Sequence, residues 1–177
     1  MTSHANRGVA LEHVLETVHA RYHRQGAYVQ RNPTPYKVLG AIAGGLRVVP
    51  EADAPPDYLV VAGGLSLLAD AKSWTTARWK LDQVKRHQAA AFTRWEGQSK
   101  AHRAGIILWM RGEPRADDCW WLPWSKLEPL WSHHHDGHAA RGDASLTVPV
   151  IRSIGTPVKH WDWLPAAVAA ATPSSTP

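Results

Sequence analysis

Two apolar runs divided by Gly63-Gly64 constrain this chain more than any other feature. Asp57-Tyr58-Leu59-Val60-Val61 and Leu65-Ser66-Leu67-Leu68-Ala69-Asp70-Ala71-Lys72 both read as strands, short and rich in strand-forming side chains. A two-glycine connection is too short for a crossover, so the strands must be antiparallel neighbours. Folding back at the glycines brings Asp57 and Asp70 to the same end of the sheet. Asp70 and Lys72 are two apart and project from one face of their strand.

A carboxylate pair beside an ammonium suits phosphodiester hydrolysis. That reaction needs an activated water, a neutralised phosphate and help for the leaving oxygen, which carboxylate-held divalent metals supply. Asp57 and Asp70 are therefore expected to ligate Mg²⁺ or Mn²⁺, with the Ala71 backbone carbonyl a further ligand. Lys72 would orient the attacking water or stabilise charge on the phosphate. Glu12, on the first predicted helix, is a candidate third carboxylate. Short patterns of acids and bases also arise by chance, and solvated charges flanking a hairpin are the ordinary alternative.

Around that hairpin the pattern is mixed α/β. Val9, Leu11, Val14, Leu15, Val18 and Tyr22 recur at helical spacing, predicting a helix over 7–25 with Asn6 as cap and Gly26 as terminator. Residues 27–31 read as a short strand, and Pro33-Thr34-Pro35 breaks regular structure after it. Residues 37–42 and 46–49, parted by Ala43-Gly44-Gly45, form a second predicted hairpin. A helix is expected from about Lys80 to Ala104, strands over 106–110 and 119–124, a helix over 125–131 entered by a serine cap, and a weak strand over 146–151. One domain over 1–165 accommodates these elements, because 177 residues with 44% apolar content bury one sizeable core. Residues 166–177 are expected to form a loose tail, disordered at its Pro/Ser/Thr end.

Charge and cysteine narrow the partners. The net charge of +5 suits nucleic acid. Arg78, Lys80, Lys85, Arg86, Arg94, Lys100 and Arg103, on or near the second helix, are candidates for phosphate contacts, against the alternative of a solvated helix face. Cys119, the single cysteine, allows no internal disulfide, the N-terminal residues carry no apolar run, and no stretch approaches the ~18 apolar residues of a membrane span. A cytoplasmic location is expected. Ten tryptophans against one phenylalanine are read as core or interface packing in preference to base stacking. His133, His134, His135 and His138 are read as a polar loop in preference to a metal site.

The order Asn6-Arg7-Gly8 with Glu12, Pro33-Thr34-Pro35, Pro56-Asp57-Tyr58, Asp70-Ala71-Lys72 and His87-Gln88 resembles the RecU family of Holliday junction resolvases, in the PD-(D/E)xK nuclease superfamily. The resemblance spans residues 6 to 131. It implies a restriction-endonuclease-like core with a mixed, largely antiparallel sheet, a homodimer, and paired nicks across a four-way DNA junction dependent on Mg²⁺ or Mn²⁺. It also implies metal-ligating roles for Asp57 and Asp70, a transition-state role for Lys72, and places for Gln88 near the metal and Glu12 as the helix acid. Arg7 gains a DNA-binding role from its motif. Residues 36–56 match a projecting stalk, here carrying only Lys37 and Arg47 as bases. Relatives commonly have glutamate at the position of Asp70 and threonine at that of Pro55. A less selective branched-DNA or flap nuclease, and a non-catalytic junction-binding protein, are the competing functional readings.

Overall fold

The apolar stripe at the N-terminus forms α1 (Ala5–Arg24), which buries Leu11, Leu15, Val18 and Tyr22. Residues 5–33, 35–50, 54–110, 118–136 and 144–171 are described in this computed structural model. The helix begins at Ala5, ahead of the expected cap Asn6, and Gly26 with positive φ ends the turn after it. β1 (Tyr28–Arg31) follows, then β2 (Tyr36–Ile42) and β3 (Gly45–Pro50), which among the described residues pair only with each other. β4 (Tyr58–Ala62) and β5 (Leu65–Trp74) form the expected antiparallel hairpin. Gly63 and Gly64 have φ of +56° and +77°, the positive pair that a tight two-residue turn between twisted strands requires.

The next segment departs from its predicted helix over 80–104. It divides into β6 (Arg78–Lys80), a 3-10 turn (Leu81–Gln83), α2 (Arg86–Gln98) and the start of β7 (His102–Met110). β8 (Asp118–Pro123) leads directly into α3 (Trp124–His135), where Pro123 and not Ser125 occupies the cap. β9 (Ser145–Thr147) pairs with β6, so the weak strand predicted over 146–151 turns after three residues into α4 (Val148–Ile154). β10 (Thr156–Val158) and α5 (Trp163–Ala171) complete the fold.

One six-stranded sheet runs in the order β1-β4-β5-β7-β8-β10. Only β5 and β7 pair in parallel, joined by the crossover through α2; the other neighbours are antiparallel. Strand alternation sends Leu67, Ala69, Ile107 and Trp121 toward α1 and α5, and Leu68, Ile106, Leu108 and Leu122 toward α2 and α3. The mixed, largely antiparallel α/β architecture agrees with expectation.

The expected tail boundary at residue 166 is corrected, because it falls inside a packed helix. Ala166 and Ala167 are buried, Trp163 Nε1 donates to His19 Nε2 at 3.1 Å, and Leu164 N donates to Tyr22 Oη at 3.0 Å. Residues 172–177 lie outside the described residues. All ten tryptophans are buried or packed against one of the two cores, as the packing reading requires. No helix among the described residues is long and apolar enough to cross a membrane.

Candidate active site

The β4–β5 register pairs Tyr58 with Ala69, so Asp57, one residue before β4, falls opposite Asp70. Asp57 Oδ2 accepts the Ala71 N–H at 2.8 Å, completing the edge of β5 where the β4 ladder has stopped. N–H and C=O of one strand residue point to the same side, so the Ala71 carbonyl also turns toward Asp57. Asn32 fixes the approach: its N–H donates to Asp57 O at 2.8 Å and its Nδ2 to Pro56 O at 2.7 Å. The sequence gives no sign of this role for Asn32, which depends on contacts across more than twenty positions.

Asp70 is fully buried. Gln88, on the first turn of α2, donates from Nε2 to Asp70 Oδ1 at 2.9 Å and accepts the Lys85 N–H on Oε1 at 3.1 Å. Lys72 Nζ lies 2.5 Å from Asp70 Oδ2, an oxygen that is buried and receives no hydrogen bond of good geometry. Asp57 is pushed up to about 7 by burial and then by the Asp70 charge, only partly offset by the Ala71 N–H and by Lys72. A second cation beside these carboxylates would relieve the excess negative charge and share Asp70 Oδ2 with the Lys72 ammonium. The donor set is oxygen-rich and suits a hard divalent metal.

The other expected site residues fall at different distances from this centre. Glu12 is held by Arg31 at 2.5 Å, and Arg31 also pairs with Glu16 at 3.0 Å. Glu12 remains close enough to raise the Asp57 carboxyl, but its carboxylate faces Arg31 on the surface. Gln88, expected near the metal and as a ligand to it, accepts the Lys85 N–H on Oε1 and donates from Nε2 to Asp70, which sets its amide directly beside the carboxylate centre. Lys85, at the start of α2, is the expected DNA-binding cation tied most directly to the site through Gln88. Arg78 and Lys80 share the exposed face of β6, and Arg78 Nε also donates to Ser145 Oγ at 3.0 Å. Lys37 and Arg47 stand on the exposed β2–β3 ribbon. Arg7 lies on α1, with its side chain outside the described residues. Arg103 instead binds the backbone carbonyls of Lys100, His102 and Ala171.

The polar-loop reading of the histidine cluster is corrected for part of its length. His133, His134 and His135 complete α3, and His134 contacts Asp82; His138 lies outside the described residues.

Residues 6–158 match the family model described as RecU, Recombination protein U. No curated protein matches significantly. Among solved structures, the chain is similar to Hjc from Archaeoglobus fulgidus, a Holliday junction resolvase from an archaeal hyperthermophile. The two share 16% identity over 90% of this chain and 98% of that one, with a TM-score of 0.45.

Proposed function

This chain belongs to the Recombination protein U family of Holliday junction resolvases, and on that premise we propose that it nicks four-way DNA junctions symmetrically as a homodimer, at a metal site built on Asp57 and Asp70. The observation that carries this reading is the placement of Asp57, Asp70 and Lys72 at one end of the β4–β5 hairpin, with Asp70 buried and its Oδ2 facing the Lys72 ammonium.

A bound Mg²⁺ or Mn²⁺ would acidify a water and neutralise the scissile phosphate. Asp57 and Asp70 would hold it, together with the Ala71 carbonyl on the same strand edge. Gln88 keeps Asp70 turned toward the site by donating to its other oxygen. Lys72, already against Asp70, is placed to meet charge developing on a phosphate oxygen. Asp57 would have to give up its proton to serve as a ligand. Arg7, Lys37, Arg47, Arg78, Lys80 and Lys85 are assigned to the DNA backbone. Glu12, the candidate third carboxylate, adds negative charge that helps to push the Asp57 carboxyl up. We place the protein in the cytoplasm, where DNA and a reduced Cys119 are compatible.

Mapping the cuts made with Mg²⁺ in a mobile four-way junction, a duplex and a flap tests the reading. Paired symmetric nicks confined to the junction are expected, lost in Asp70→Asn and Lys72→Ala while junction binding stays within several-fold. Equal cutting of all three substrates, or wild-type rates in either variant, would refute it. Two symmetric nicks need two sites at a fixed separation, which a two-fold dimer supplies. Light scattering should therefore give twice the 19.5 kDa chain mass; a monomer both free and on junction DNA would defeat the dimer.

A further inference from the structure

At the far end of α3, two of three consecutive histidines turn toward the 3-10 turn that precedes α2. His134 Nε2 lies 2.9 Å from Asp82 Oδ1. One ligand atom from each of Asp82, His134 and His135 lies within 4.8 Å of the others. A hydrogen bond to Asp82 accounts for His134 but not for His135. His135 Nε2 is buried and has no hydrogen-bond partner among the described residues, an unfavourable state for a polar atom. The imidazole is held in this position by packing, with its ring centroid 4.2 Å from that of Trp131 and 4.8 Å from that of His134.

The surrounding backbone is fixed as well. Trp131 Nε1 donates to Val84 O at 3.0 Å, and Lys85 Nζ donates to Asp82 O at 3.0 Å. The Asp82 side chain is 59% exposed, which leaves a route in from solvent.

We propose that Asp82, His134 and His135 form a binding site for a first-row transition-metal ion of zinc type, separate from the carboxylate centre, that clamps the end of α3 to the turn before α2. Two imidazoles and one carboxylate are a zinc donor set, whereas Mg²⁺ favours oxygen ligands in an octahedron. Metal–ligand bonds of about 2.0–2.2 Å put tetrahedral ligand atoms roughly 3.3 Å apart, so side-chain rotation closes the present spacing. Water fills the fourth position.

Calorimetric titration with ZnCl₂ tests the site in Asp57→Asn/Asp70→Asn protein, where the carboxylate centre cannot compete. One equivalent of Zn²⁺ binds, and Zn²⁺ raises the melting temperature while MgCl₂ at the same concentration does not. His134→Ala, His135→Ala and Asp82→Asn each weaken Zn²⁺ binding at least tenfold and cancel the thermal shift. His13→Ala, on the exposed face of α1, changes neither. Asp82→Asn alters an exposed side chain, so its result stands even if a histidine variant misfolds. Unchanged Zn²⁺ affinity in Asp82→Asn and in His134→Ala/His135→Ala, or no Zn²⁺ binding by the starting protein, overturns the proposal.

Discussion

Gln88 Nε2 donates to Asp70 Oδ1 at 2.9 Å, tying the first turn of α2 to the middle of β5 in the protein interior. The same amide takes the Lys85 N–H, which a helix start would otherwise leave without a partner. One side chain thus secures the helix N-terminus and orients the buried carboxylate. Any movement of that turn is transmitted to Asp70.

Gln88→Ala should therefore act through Asp70. Cleavage is expected to fall about 10–100-fold, with a rise in the metal concentration that gives half-maximal rate. Titrating the rate against Mg²⁺ separates this from a purely structural defect. A variant that slowed turnover with unchanged metal dependence would deny Gln88 the positioning role.

Asp57 gives a pH signature. Its carboxyl titrates near 7, so a metal must displace a proton from it below that pH. Apparent metal affinity should fall by about tenfold per unit as pH drops below 7. A flat affinity between pH 5.5 and pH 8, followed by calorimetry on the unaltered protein without DNA, would count against it.

The same group should affect metal-free stability with the opposite trend. Because the folded-state carboxyl titrates above its unfolded value of 3.8, folded protein keeps a proton that the unfolded chain releases, and stability falls as pH rises through that window. Asp57→Asn removes this dependence and can still accept the Ala71 N–H. In EDTA at pH 8 its melting temperature should exceed that of the unaltered protein, by roughly 2–4 °C for each kcal/mol relieved. Near pH 4 the difference should vanish.

Asn32→Ala removes the side-chain anchor on Pro56 O. A stability loss of about 1 kcal/mol is expected, together with weaker metal binding, because Asp57 follows Pro56 directly. Urea unfolding beside metal titration measures both. Loss of stability with unaltered metal affinity would restrict Asn32 to the fold.

The β2–β3 ribbon should carry junction selectivity. Replacing residues 40–48 with a two-residue turn should lower the preference for a four-way junction over duplex at least tenfold at matched salt, leaving duplex binding little changed. Circular dichroism reports whether the shortened protein folds. Retained preference would transfer selectivity to the basic surface of the dimer.

Local sequence makes the central hairpin legible, because Gly63-Gly64 permits one connection and strand alternation then sets which side chains share a face. Contacts between distant segments are not legible in that way. The stretch from Lys80 has helix-compatible spacing, yet Trp79 pairs with Leu146 and Leu81 N donates to Ala144 O, which draws the first residues into a strand and a 3-10 turn. Glu12 reads as a free acid until folding brings Arg31 beside it. α3 runs on through the histidines because Trp131 and His135 pack one turn apart, a contact no composition rule reveals.

The β2–β3 ribbon also bears on how the protein behaves in solution. Tyr36, Val38, Leu39, Ile42, Leu46, Val48 and Val49 are all exposed on it, and both outer strand edges lack a neighbour among the described residues. Open edges beside apolar side chains are a template on which strands of other chains can add. The register slip at Leu39 bends the ribbon and makes it a poorer template, and the flanking Lys37 and Arg47 set like charges against stacking. The exposed ribbon therefore carries an aggregation hazard, held in check by one bulge and two cations.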